Sequence, residues 1–141
     1  MKIYADTSVL IAWFHPADEF ASAVTKWCQT HGQDFSWNIF LRAELRHNLR
    51  RLSTDYAAVA WQAYRAAESS GRLRLDSHKP NELIEWGDEL SARHAKGIAV
   101  GTWDCVHVAA AQHAKAEIFI TCDIAQAELA SLAKLPKVHL F

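Results

Sequence analysis

Two carboxylates stand where an extended run passes into a helical one, and two more lie near the start of helical runs. Asp6 ends the first apolar run in Ala5-Asp6-Thr7-Ser8, and Asp123 holds the equivalent place in Thr121-Cys122-Asp123. Asp104, in Gly101-Thr102-Trp103-Asp104, falls in the first turn of a helical stretch through Val106, Ala109 and Ala110, with Thr102 placed as its cap. Glu44 lies one turn into a leucine-striped segment, at the border of that stripe. Taken singly, each acid has an ordinary structural role. An Asp at such a junction caps a helix, an Asp in a first turn answers the helix dipole, and a helical Glu faces water. Gathered in one place, the four would repel and raise one another's pKa, a cost that structure alone rarely accepts without a cation. Oxygen donors with no His or Cys among them suit Mg²⁺ or Mn²⁺ rather than Zn²⁺.

What would gather them is the arrangement of elements. Short β-like runs at residues 2–6, 34–38, 72–76, 117–121 and 137–141 alternate with longer helical stretches, the pattern of a parallel sheet covered by helices. Pro16 suits a first helical position, with Phe20, Val24 and Trp27 at helical spacing and Gly32 as a stop. Ser53 or Thr54 can cap a helix that turns Tyr56, Val59, Ala60, Ala63 and Ala67 inward and ends at Gly71. Pro80 opens another, with a stripe of Leu83, Trp86 and Leu90 before Gly97, and Leu41, Leu45, Leu49 and Leu52 share a face that can dock on the sheet. With 141 residues, no repeat and no linker, the expectation is a single α/β domain over 1–141. In an open parallel sheet, ligands bind beyond the carboxyl ends of the strands, which is where Asp6 and Asp123 fall.

On these residues the chain resembles the PIN domain family. The segments YADTSVLIAWF at 4–14, WNIFLRAELRHNL at 37–49, GTWDCVHVAAA at 101–111 and FITCDIAQAELA at 119–130 look like its acidic motifs, in the family's order and from end to end of the chain. The resemblance implies a three-layer α/β/α fold with a parallel sheet of about five strands and a Mg²⁺- or Mn²⁺-dependent endoribonuclease centre. At this size it extends to VapC-like toxins of type II toxin–antitoxin pairs. It matches Asp6, Glu44 and Asp104 to the family's three most constant acids, Asp123 to a fourth, more variable one, and Thr121 to a hydroxyl position beside that acid. Many relatives carry a further acid where this chain has Ala125, which takes a donor from a second metal site. An RNA substrate, a small antitoxin partner and a homodimer are implied by the same resemblance.

Metal-assisted cleavage of a phosphodiester needs an activated water, neutralised charge on the phosphate and a stabilised leaving oxygen. Divalent ions can supply all three, so no Ser, Cys or His nucleophile is required. Asp6 and Asp104 are then the candidates for direct ligation. Glu44 can ligate directly, ligate through water, or orient the attacking water, and Asp123 can act through water or position a second ion. The hydroxyls of Thr7, Ser8 and Thr121 are candidates for holding these carboxylates in place, with helix capping an equal alternative for Thr7 and Ser8. On the substrate side, residues 41–75 carry seven Arg against three acids, and Arg42, Arg46 and Arg50 recur at i, i+4 spacing on the segment that holds Glu44. That row suits phosphate recognition, and a solvated helix face is the equal alternative. Trp27, Trp61 and Trp86 read as core, whereas Trp13 and Trp103 lie near the acids; most of the eight His read as surface or packing residues.

A formal net charge of −1 excludes a bulk polycation that grips nucleic acid by charge alone. Three Cys without C-x-x-C spacing exclude a disulfide framework or thiolate zinc site, and no apolar run approaches the ~20 residues that span a bilayer. No membrane association and a cytoplasmic location are therefore the expectation. Two other classes share parts of this pattern. A receiver-like phosphoacceptor domain would use Asp76 after the third strand, but wants two adjacent acids after the first and a Lys at the end of the last. A phosphatase of the haloacid-dehalogenase kind wants D-x-D, and Ser8 stands where the second Asp should be. Within the nuclease class, a solitary PIN nuclease in RNA processing is the alternative to a toxin.

Overall fold

The computed structural model describes residues 1–141. Five strands, β1 (Ile3–Ala5), β2 (Phe35–Trp37), β3 (Leu73–Leu75), β4 (Ile118–Thr121) and β5 (Val138–Leu140), form one sheet in the order β3-β2-β1-β4-β5, every pair parallel. Seven helices connect them. These are α1 (Thr7–Phe14), α2 (Ala21–His31), α3 (Ile39–Arg50), α4 (Thr54–Ser69), α5 (Pro80–His94), α6 (Thr102–His113) and α7 (Ile124–Leu132). The chain steps outward from β1 to β3, then crosses back to β4 on the other side of β1. Right-handed crossovers place helices passed in opposite directions on opposite faces. α1 to α4 accordingly pack together on one side, and α5 to α7 pack together on the other. The result is the expected α/β/α arrangement with a five-stranded parallel sheet.

The three inner strands are buried at every residue, as parallel strands covered on both faces must be. Tyr4, Phe35, Trp37 and Phe119 of the sheet meet Leu10, Leu41, Leu45, Leu49 and Tyr64 from the helices. α5 and α6 approach so closely at Gly87 that a Cβ there would lie 2.5 Å from Val106 Cγ2 and 2.9 Å from Val106 Cα.

Several expected details differ. Pro16 lies in a turn rather than opening α2, because the Asp18 carboxylate accepts from Phe20 N–H at 2.9 Å and the helix begins only at Ala21. α4 buries Ala60, Tyr64 and Ala67, while Tyr56, Val59 and Ala63 face solvent. Its register follows Tyr64, whose ring packs against Phe14, Trp37 and Trp61 while its hydroxyl donates to Glu68. On α5 the buried row is Leu83, Gly87 and Leu90, and Trp86 is only half-buried, stacked on His113 at 3.7 Å. Leu52 falls beyond the end of α3. Thr102 is the first residue inside α6, and Gly101 takes the N-cap place.

Candidate active site

The point where strand order reverses lies between β1 and β4, and the carboxyl ends of those two strands lead into Asp6 and Asp123. Asp6 is 2 % exposed. It caps α1, its Oδ1 accepting from Val9 N–H at 3.0 Å and from the Ser8 hydroxyl at 2.6 Å, while its Oδ2 accepts from the Thr121 hydroxyl at 2.5 Å. Burial pushes the Asp6 carboxyl up to about 6 against the pull of these three hydrogen bonds and of His107. Ser8 Oγ also accepts from Cys122 N–H, and Thr121 Oγ1 from Asp123 N–H, so both hydroxyls tie the end of β4 to the start of α1. The hydroxyls of Ser8 and Thr121 therefore hold Asp6 in place. Asp123 itself is exposed and caps α7 through Gln126 N–H at 3.0 Å.

Glu44 reaches the same place from α3, at the edge of the stripe of Leu41, Leu45 and Leu49 that docks in the core. The Thr7 hydroxyl donates to Glu44 Oε1, and His107 Nε2 stands 3.6 Å from Oε2, an ion-pair distance rather than a hydrogen bond. Burial would raise the Glu44 carboxyl, but His107 and Thr7 together bring it below the ordinary carboxylate range. Asp104, in the first turn of α6, accepts from Gly101 N–H at 3.0 Å. Its carboxyl is raised by burial and further by the charges of Asp123 and Glu44.

One cleft of about 240 Å³ is lined by all four carboxylates together with Thr7, Ser8, Asn48, His107 and Gln126. Larger hollows beside Trp86 and His113, and beside Trp13 and Ala63, have no such convergence of acids. No three His, Cys, Asp or Glu side chains form a closed ion cage as they stand. The donor set nonetheless fits a hard divalent cation. It is all carboxylate oxygen; burial raises the Asp6 carboxyl, and burial together with the charges of Asp123 and Glu44 raises that of Asp104, a cost that a cation would relieve.

The sequence singles out neither Asn48 nor Gln126 for the cleft, and of His47 and His107, which follow Glu44 and Asp104 by about one turn and could pass for metal ligands, only His107 lines it. Asn48 carries a faint signal: it follows Glu44 by four residues and so shares a helix face with it. The arginine row lies elsewhere. Arg42 binds Glu68 at 2.6 Å, and the guanidinium groups of Arg46 and Arg50 sit over the Trp61 ring at 5.3 and 5.0 Å, directed at α4 rather than into the cleft. Trp13 packs edge-on against Phe35, whereas Trp103, beside Asp104, is 46 % exposed and lies against Phe40 with ring centres 5.2 Å apart. A receiver domain is excluded by strand order, since that class runs 2-1-3-4-5 and this sheet runs 3-2-1-4-5. Asp76 is instead paired with Lys2 at 3.3 Å.

A model of the PIN domain matches residues 3–132. Among solved structures, Mycobacterium tuberculosis VapC20, described as a sarcin-ricin loop cleaving toxin, is similar with a TM-score of 0.68 and 18% identity over 84% of this chain and 87% of that one. FitAcB from Neisseria gonorrhoeae has a TM-score of 0.65 and 17% identity, over 97% of this chain and 96% of that one. VapBC2 from Rickettsia felis, bound to a DNA fragment from their promoter, has a TM-score of 0.65 and 12% identity, over 99% and 98%. At these identities the likeness is one of fold. A search of curated proteins by sequence gave no match.

Proposed function

Because the chain belongs to the PIN domain family, we propose that it is a divalent-metal-dependent endoribonuclease and the toxin of a toxin–antitoxin pair. The observation that carries this reading is the convergence of Asp6, Glu44, Asp104 and Asp123, from four separate elements, on one cleft at the switch point of the sheet. Asp6 and Asp104 would hold Mg²⁺ or Mn²⁺, with Glu44 and Asp123 completing the donor set. Bound there, the ion would neutralise charge developing on the phosphate and make a water more acidic. The chain's own residues do the rest. Ser8 and Thr121 hold Asp6 rigid, and Thr7 holds Glu44 towards the cleft, where its carboxylate can orient the attacking water. Ala125 leaves the Asp123 side of the cleft short of donors, which favours one tightly held ion over two.

RNA as substrate is supported by the exposed Trp103, which lies beside Asp104 and against the half-buried Phe40, since unpaired bases stack on aromatic faces. A toxin role, with a small antitoxin partner and a homodimeric state, rests on the family and on the shared fold with VapC20, itself described as a toxin. A short reading frame adjoining the gene, whose product co-purifies with this chain and silences it, is the expected companion; a solitary gene would favour RNA processing. The purified protein should cut single-stranded RNA with Mg²⁺ or Mn²⁺, stop with EDTA, and lose activity in Asp6→Asn and in Asp104→Asn. Full activity in both variants would sink the site assignment.

A further inference from the structure

Asn38 is the N-cap of α3, and its Oδ1 accepts from the backbone N–H groups of Phe40 and Leu41, each at 2.9 Å. Backbone N–H groups only donate, so the atom facing them is the amide oxygen and the Nδ2 end points inward. There Nδ2 donates to the Tyr4 hydroxyl oxygen at 2.6 Å and stands 3.4 Å from His107 Nδ1. An amide nitrogen cannot accept, so His107 Nδ1 presents its lone pair and the ring proton belongs on Nε2. His107 is 1 % exposed, and its Nε2 has no hydrogen-bond partner; a carboxylate oxygen, Glu44 Oε2, stands 3.6 Å away. Glu44 Oε1 is already engaged by Thr7. A buried N–H with a single carboxylate oxygen in reach is costly to leave unmade, so ring and carboxylate constrain each other.

We propose that His107, held in its Nε2–H tautomer by Asn38, is a positioning residue that fixes the Glu44 carboxylate in the cleft. The inference rests on Glu44 belonging to the nuclease centre proposed above. His107 acts only through Glu44; Thr7 hydrogen-bonds Oε1 while the His107 Nε2–H faces Oε2 at 3.6 Å, so the carboxylate is limited in the orientation with which it meets the ion or the water. Removing a partner of this kind typically costs about 10–100-fold in activity or metal affinity.

In ¹⁵N-labelled, metal-free protein, the neutral His107 ring, identified by its loss in His107→Phe, should carry its proton on Nε2 and leave Nδ1 bare. Asn38→Asp keeps the helix cap but turns an acceptor towards Nδ1, and should place a proton there. A proton on Nδ1 in the unaltered chain, or a ring that ignores Asn38→Asp, overturns the proposal. If Asn38→Asp fails to fold, Asn38→Ser retains a cap and removes the amide donor, and an unchanged ring there overturns it equally. In RNA cleavage, His107→Phe should lower kcat about 10–100-fold with little change in KM. His107→Gln, whose amide can donate to Glu44, should recover most of that loss, and in a Glu44→Gln background His107→Phe should cost nothing further. Independent losses in the two backgrounds, or no recovery in His107→Gln, would mean that His107 does not act through Glu44. If the unaltered protein cuts no RNA, the nuclease reading falls and the ring nitrogens alone decide whether Asn38 sets His107.

Discussion

Asp6 pairs a place of chemical interest with a measurable effect on stability. Its folded value of about 6 lies above the ordinary 3.8 because the carboxylate is buried. A raised folded value means that its contribution to stability is complete below pH about 4 and lost as pH rises through about 6. In metal-free protein the difference in unfolding free energy between the unaltered chain and Asp6→Asn should therefore shift against the unaltered chain across that window, by on the order of 2–3 kcal/mol. Denaturant unfolding at a series of pH values checks it; a flat difference would remove the buried, ionising carboxylate. Asp6→Asn should fold, because its Oδ1 can still accept from Val9 N–H and Ser8 while its amide donates to Thr121 Oγ1. Asp6 was legible in the sequence because an acid directly after an apolar run declares its place by adjacency. His107 was not, since its role depends on α3 and α6 meeting across more than sixty residues of chain, and a buried imidazole reads the same whether it packs or points.

α6 delivers both Asp104 and His107, so whatever sets its position sets one wall of the cleft. Gly87 of α5 is the tightest constraint on it. Alanine there improves helix propensity by about 1 kcal/mol, yet its Cβ meets the Val106 backbone at 2.9 Å, which no rotamer change relieves. Gly87→Ala should lower stability by about 1–3 kcal/mol net and reduce cleavage through the displaced α6; unchanged thermal unfolding would show that the two helices can separate freely. The five strands were readable from apolar runs punctuated by turn residues, and each lies within a residue or two of its expected place. The helix faces were less readable. On α5 the sequence offers Trp86 as an obvious apolar anchor, but close helix packing selects Gly87, whose contribution is the absence of a side chain. On α4 alanines fit almost any stripe, so the register was settled by Tyr64, which can bury its ring and keep its hydroxyl bonded.

A net charge of −1 conceals an uneven molecule, because four of its sixteen acids line one cleft while the 41–75 segment carries an excess of four positive charges. Taken alone, the segment suggests that RNA is held by the arginines and cut by the acids. The contacts argue for a different division. Arg42 is neutralised by Glu68, and Arg46 and Arg50 lie over Trp61, so their first partners are within the chain and α3 is pinned to α4 by them. The substrate would then be held where the acids are, through the ion and through base stacking on Trp103. The two arrangements differ in salt dependence, since each lost phosphate contact lowers the slope of log affinity against log salt by about one unit. With a cleavage-resistant 2′-O-methyl oligonucleotide in Mn²⁺, Arg46→Ala/Arg50→Ala should leave that slope unchanged and lower stability by about 1–2 kcal/mol, the worth of two cation–π contacts at a half-buried ring. Trp103→Ala should weaken binding roughly tenfold, again without altering the slope, and the loss should vanish on an oligonucleotide lacking the stacked base. A slope flattened by the arginine pair would instead make the α3–α4 face part of the RNA path, running from a basic shoulder into the acidic cleft.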